Sequence, residues 1–228
     1  MTDMPLRVQQ GYDRVSRAYR EDRLAETSDD FLKYRDWMDE LLRHLPPAGD
    51  VLDLGCGCGE PVARLLAATK QVTGVDISPV QIDRATSLLP QAKFICSDMC
   101  DLAFTEATFD AIVCLYAIIH VPLDEQPALL GNMGRWLKPG GHLLITVGQS
   151  AWTGGEANWL GVVGGDMYWS HADRATYLRW LEEAGLQLLW ERFIPEGNGG
   201  HPLLLLRKPG GRVEADGGYS SQRSEDAK

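Results

Sequence analysis

Five short aliphatic runs punctuate the first two thirds of the chain, at residues 51–54, 72–75, 93–96, 111–115 and 142–147. They read as strands covered on both faces, as in a parallel sheet. Helical spacing fills the gaps between them. Residues 62–68 follow a glycine turn. Ser78-Pro79 opens a second helix, with Ser78 as its cap and Pro79 at the first helical position, where a missing N–H does no harm. Residues 126–137 carry a third, stopped by Lys138-Pro139-Gly140-Gly141. Strands and helices in this rhythm imply βαβ units with right-handed crossovers.

The rhythm changes after residue 147. Residues 148–165 are rich in glycine and tryptophan and show no clear period. Ser170-x-x-Asp173 has the form of a capping box and predicts a helix that Gly185 closes. Two further strand-like runs follow, 186–194 and 202–206, joined by Pro195-Glu196-Gly197-Asn198-Gly199-Gly200. That link is short enough for a hairpin, so the last strand is expected to run against an otherwise parallel sheet. Residues 208–228 are polar and glycine-rich and read as a disordered tail.

Composition narrows the class. A chain of 228 residues, 44% hydrophobic, can bury one substantial core, which predicts a single domain over residues 1–207. The net charge is −10, from 22 basic and 32 acidic residues, and no Lys/Arg cluster stands out. A nucleic-acid partner is therefore not expected. No apolar run approaches the ~20 residues of a membrane span, and residues 1–7 hold no signal-peptide core. These features predict a cytoplasmic protein with no membrane partner; oligomeric state is not legible. The cysteines at 56, 58, 96, 100 and 114 lack the common C-x2-C spacing of zinc sites, so neither a metal nor a disulfide framework is expected. Cys96 and Cys114 fall at apolar strand positions, where a thiol behaves as a small hydrophobe.

The candidate chemistry centres on Val51-Leu52-Asp53-Leu54-Gly55-Cys56-Gly57-Cys58-Gly59. Three alternating glycines let backbone pass close to a ligand, because glycine reaches φ > 0 without a Cβ penalty. A dinucleotide fingerprint would need its third glycine where Glu60 stands. Asp53 places a carboxylate at the mouth of the turn, which would repel a pyrophosphate and suits a ligand with a cationic end. Acids also end the next two strands, Asp76 after residues 72–75 and Asp98 after residues 93–96. Ligands of such sheets bind outside these carboxyl ends.

The glycine turn resembles motif I of the class I S-adenosylmethionine-dependent methyltransferases. Val75-Asp76-Ile77-Ser78 is similar to the family's second motif, Phe109-Asp110-Ala111-Ile112-Val113 to the entry of its fourth strand, and Trp136-Leu137-Lys138-Pro139-Gly140-Gly141 to the turn before its fifth. The resemblance runs from about Tyr12 to Leu206. It implies an α/β, Rossmann-like sheet of seven strands, mostly parallel with an antiparallel last strand, and helices on both faces. It also implies a helical cap over residues 1–45 and an aromatic acceptor loop over 148–170. The cofactor implied is S-adenosylmethionine, with S-adenosylhomocysteine as product. Asp53 would meet its ammonium, Gly55, Cys56 and Gly57 the methionine end, and Asp76 with Ile77 the ribose. Asp98 and Met99 would take the adenine, and Leu115 would line the site. Tyr12 and Tyr19 stand seven apart, on one face of a helix, in a segment that folds over the cofactor in related enzymes. Leu115 to Pro122 replaces the Asn-Pro-Pro-Tyr type motif of many nucleic-acid and glutamine N-methyltransferases, which points to the small-molecule branch.

Methyl transfer is an in-line displacement, so alignment supplies much of the catalysis. A base is needed only where the acceptor must lose a proton. Three histidines are candidates. His120 follows the fourth strand. His171 lies at the expected helix start, where the helix dipole disfavours an imidazolium. His201 ends the hairpin link. Tyr116, Trp152, Trp159, Tyr168 and Trp169 are candidates for an acceptor pocket. The expected function is methyl transfer to a small-molecule acceptor. The alternative is a protein that binds the cofactor without methyl transfer, as a steering charge or a sensor; a nicotinamide dehydrogenase fits less well because of Glu60 and the added acids.

Overall fold

Period-2 alternation, with both sets of side chains buried, builds the centre of the molecule. In a computed structural model that describes residues 4–210, seven strands form one sheet in the order β3-β2-β1-β4-β5-β9-β8. They are β1 (Asp50–Leu54), β2 (Gln71–Asp76), β3 (Lys93–Cys96), β4 (Phe109–Cys114), β5 (Leu137–Thr146), β8 (Gln187–Glu196) and β9 (Gly199–Arg207). All pairings are parallel except those of β9, which runs against both β5 and β8. The expected sheet, with its single reversed strand, is what forms.

Alternate residues of β1, β4, β5 and β9 feed two cores. Leu52, Ile112, Leu143 and Leu204 pack with α5 (Gln126–Trp136) and α6 (Arg174–Glu183) on one face. Val51, Val113, Leu144 and Leu205 pack with α2 (Asp29–Leu42) and α3 (Val62–Ala67) on the other. Burial on both sides explains why these strands carry almost no polar positions. Ser78 caps α4 (Pro79–Leu88) by accepting from the Gln81 N–H at 3.1 Å, as its sequence predicts.

Two expectations are corrected. The region after β5 is not an irregular loop: β6 (Trp152–Glu156) and β7 (Met167–His171) pair antiparallel as a separate hairpin. Most of β6 is exposed and two of its five residues are glycine, so no apolar alternation marks it. The helix that follows begins later than expected. Asp173 is its cap, accepting from the Thr176 N–H, whereas Ser170 is buried in β7 with its hydroxyl 2.9 Å from that of Thr153. Both residues suit an N-cap; strand pairing claims Ser170. His171 accordingly ends a strand and does not start a helix. The expected tail lies outside the described residues from 211 onward, while Lys208 still exchanges backbone hydrogen bonds with Gly140 and Gly141.

Helix α1 (Met4–Tyr19) lies over the carboxyl ends of the strands and packs on β7 through Val8, Val15, Met167 and Tyr168. Gly11 is required there, since a Cβ would run into the Asp166 carbonyl. A buried arginine fixes the other side. Arg84 of α4 donates to the Ser16 carbonyl at 2.7 Å, the Ser16 hydroxyl at 2.6 Å and the Arg20 carbonyl at 2.7 Å. Asp13 adds a 2.6 Å bond from the Ser78 hydroxyl. Charge-assisted bonds of this kind contribute about 1.5–3 kcal/mol. Arg84→Met is therefore expected to speed amide exchange in α1 by about tenfold or more while leaving that of β1 and β4 unchanged. Equal exchange in α1 of the variant and the parent would show that the helix is held by its apolar face alone.

Candidate active site

The glycine turn between β1 and α3 is held against the end of β2 by backbone bonds. The N–H groups of Gly55 and Cys56 both reach the Val75 carbonyl, at 2.8 and 3.0 Å. Gly55, Gly57 and Gly59 all have positive φ, at 75°, 54° and 82°. A Cβ on Gly55 would collide with Ala117, and one on Gly59 would come within 2.8 Å of Leu89. The turn thus needs glycine both for its dihedral angles and for its close approach to the segment after β4.

Two buried carboxylates sit at this turn. Asp76 accepts from the Gly57 N–H and the Ser78 N–H, each at 2.9 Å. Burial raises its pKa to about 6, against the pull of those backbone donors. Asp53 is 3% exposed, and its Oδ2 has no hydrogen-bond partner. Burial, with the Asp76 charge adding to it, pushes its pKa up to about 7. A buried carboxylate oxygen without a donor is rare in folded proteins. Here it lies in a pocket that also presents Arg20, Tyr34 and Gln81. Glu60, in contrast, is committed to the protein: it accepts from the Leu24 N–H and lies 3.2 Å from Arg64.

The neighbouring pocket joins Asp76, Ile77, Met99 and Leu115 with Tyr12 and Tyr19 of α1. A third recess places Asp98 and Met99 beside Ile77 and Pro122. Asp98 also caps a short 3-10 turn, accepting from the Cys100 N–H at 2.9 Å. Every residue named from the sequence for the cofactor therefore lines one of three adjoining recesses.

Beyond them opens a cleft lined by Tyr116, His120, Trp159, Trp169 and His201 together with Arg20, Tyr34 and Glu196. Trp152 is half exposed against Trp169 and His171, and Tyr168 is buried, so neither contributes to this wall. The histidines separate clearly. His120 Nδ1 lies 2.7 Å from the Tyr168 carbonyl, which can only accept, so Nδ1 carries the proton. Nε2 then accepts from the Tyr12 hydroxyl at 2.9 Å. Burial lowers the pKa of this ring to about 4. Burial also lowers that of His171, whose ring stands 6.3 Å from that of His201 and outside the cleft lining. His201 lines the cleft, with Nδ1 3.1 Å from the Val147 carbonyl.

Sequence reasoning missed Arg20, Tyr34 and Glu196. Arg20 stands 5.5 Å from the centres of both the Tyr19 and Tyr34 rings and 3.6 Å from Asp30. No local motif marks these positions, because the docking of α1, α2 and the β8–β9 hairpin brings them together.

Residues 51–141 match a family model described as a methyltransferase domain. The chain is 36% identical over 172 residues to a ubiquinone biosynthesis O-methyltransferase of Xanthomonas axonopodis, covering 66% of this chain and 68% of that protein. It is 40% identical over 106 residues to a 2-methyl-6-phytyl-1,4-hydroquinone methyltransferase of Synechocystis, covering 44% of this chain and 32% of the relative. Against several curated relatives the chain spans only a quarter to less than half of their length. Among solved structures, the [4+2]-cyclase SpnF superposes with a TM-score of 0.69 at 20% identity, covering 89% of this chain and 95% of that one. A 1,6-didemethyltoxoflavin-N1-methyltransferase of Burkholderia thailandensis, solved with its substrate and S-adenosylhomocysteine, gives 0.66 at 21% identity, covering 90% and 88%. These superpositions establish the fold; a cyclase and a methyltransferase on one scaffold show that the fold does not choose the chemistry.

The unpartnered acid sets a pH dependence. The folded-state pKa of Asp53, about 7, lies above the ~3.9 of an unfolded chain. Between those values the folded chain binds more protons, so stability is full below about pH 4 and is lost as pH rises through 7. Asp53→Asn, free of ligand, is expected to exceed the parent in urea stability at pH 8 by on the order of 1–3 kcal/mol, the gap closing toward pH 4. A gap that does not change with pH would show that the carboxyl is not charged at a cost.

Proposed function

The chain belongs to the S-adenosylmethionine-dependent methyltransferases, and on that premise we propose that it transfers a methyl group from this cofactor to a small, flat acceptor by in-line displacement. The observation that carries the reading is the buried, unpartnered Asp53 oxygen at the glycine turn. A cationic ammonium satisfies it; a pyrophosphate does not. Arg20 lines the same recess and supplies the complementary charge for a carboxylate. Asp76 uses one position on each oxygen for backbone donors, and a carboxylate offers about four, so a ribose diol can add two more. Asp98 keeps one oxygen for the adenine amino group, and Met99 and Ile77 give the ring an apolar slot. When bound, S-adenosylmethionine supplies a methyl carbon activated by positive sulfur, which departs with the carbon–sulfur electron pair.

The protein's own share is alignment and the exclusion of water. Of the helical segment expected as a cap, α1 alone takes that role, with Tyr12 and Tyr19 closing over the ribose side, while α2 belongs to the core beneath the sheet. His120 works here as a fastening: both of its nitrogens are engaged, one by the cap through Tyr12 and one by β7. Trp159 and Trp169, from the segment 148–170, wall the acceptor cleft. Among the described residues no helix is long and apolar enough to cross a membrane. The unpaired thiols at 56, 58, 96, 100 and 114 suit the reducing cytoplasm, where we place the protein.

Calorimetric titration with S-adenosylmethionine and S-adenosylhomocysteine tests the reading directly. Micromolar binding is expected, weakened about 10- to 100-fold in Asp53→Asn and in Asp76→Asn, the worth of one charge-assisted bond. No binding of either ligand to folded parent protein would reject the cofactor assignment. Binding without methylated product across phenol, amine and thiol acceptors would select the alternative of a cofactor-binding protein that performs no transfer.

A further inference from the structure

We infer that Glu196 and His201, neighbours on the β8–β9 hairpin, form the proton-accepting couple of the cleft, and that the acceptor they fit is a hydroxyl on an aromatic ring. This rests on the methyl-transfer reading above and names its substrate class. Glu196 pairs with Gly199 across the turn, so His201 stands two residues further on and on the same face. Its Nε2 lies 3.8 Å from the Glu196 carboxylate. Nδ1 is within reach of the Val147 carbonyl and donates to it, which leaves the Nε2 lone pair toward the cleft. His120 has no free nitrogen, and His171 is outside the lining.

A third group completes the arrangement. Tyr116 follows β4 with φ 56°, an unusual angle for a side chain of its size. Its ring meets that of His201 edge-on at 5.6 Å. Burial first, and a hydrogen bond toward the Glu196 carboxylate second, keep its hydroxyl protonated, so Tyr116 steadies the carboxylate beside His201. A base is needed where the acceptor arrives with its proton, and a phenol brings that proton and a lone pair on one oxygen; an alkylammonium has no lone pair until it is deprotonated, and a thiol ionises more readily than a phenol. The aromatic walls of Tyr34, Trp159 and Trp169 then favour a phenol.

In the step, the acceptor oxygen forms the O–C bond with its lone pair while its O–H bond breaks. Those electrons stay on oxygen, the proton moves to His201 Nε2, and the electron pair of the broken carbon–sulfur bond remains on sulfur. The imidazolium is held beside Glu196, whose side chain is 43% exposed and lets the proton pass to water. Other groups facing the couple are Tyr116, His120, His171 of β7, Arg20 at the end of α1, and Asp30, Lys33 and Tyr34 of α2. Among the described residues only Glu196 lies within ion-pair distance of His201.

Labelled methyl transfer to catechol by Glu196→Gln tests the couple: kcat is expected to fall about tenfold with KM little changed, and an unchanged kcat overturns the couple. Transfer of a labelled methyl group from S-adenosylmethionine to catechol tests the class: kcat is expected to drop about 100-fold in His201→Gln with little change in KM. Equal rates in parent and variant, label appearing only in amines or thiols, or no label in any phenol would overturn the hydroxyl assignment. Titration with S-adenosylhomocysteine keeps the two readings apart. Its failure to bind the parent rejects the cofactor, whereas intact binding in both variants alongside these losses locates the effect at the acceptor.

Discussion

A buried carboxylate with no internal partner is the constraint around which this protein is arranged. Asp53 lies near the end of β1, inside the sheet between β2 and β4, and is 3% exposed. Its charge is costly there, and Asp76 across the glycine turn makes it more so. The turn cannot relax away from the two acids. Its amides are spent on Val75 and Asp76, and its glycines admit no Cβ. On the proposed reading, this unpartnered oxygen is what favours a cationic ligand end over a phosphate.

That constraint also explains the cap. Helix α1 covers the recesses with Tyr12 and Tyr19 while remaining tied to α4 by Arg84 rather than fused into the main cores. The apolar contacts of the cap go to β7, so the cap and the β6–β7 hairpin form one layer over the strand ends. His120 links that layer to the segment after β4. Cofactor recess and acceptor cleft are thus two sides of one lid.

Sequence patterns revealed the sheet because its strands are covered on both faces, and burial of that kind leaves an unbroken aliphatic signature. The acids at strand ends were legible for the same reason: a lone charge after an apolar run marks the edge of the sheet. The β6–β7 hairpin was not legible, since Gly154, Gly155 and exposed Trp152 carry no alternation, and the pair is stabilised by what lies against it. Ser170 and Asp173 show a different limit. Both have the chemistry of a cap, and only the pairing of Ser170 with Thr153 decides between them. Arg20, Tyr34 and Glu196 were invisible because their meaning is tertiary; each is an ordinary polar or aromatic residue until three elements converge.

The same geometry argues for a division of labour between two histidines that the sequence presents as equivalents. His120 stands nearer the cofactor recess, the natural place for a base. Yet deep burial and two engaged nitrogens hold it neutral and immobile. A base must exchange protons with water between turnovers, which favours a partly exposed ring with a counter-charge. His201 meets that need because it lies on a hairpin at the edge of the sheet, beside an exposed carboxylate and away from Asp53. In the proposed mechanism two acids are thereby used in opposite ways: buried Asp53 would meet a cation, and exposed Glu196 would steady a passing proton without adding another buried cost.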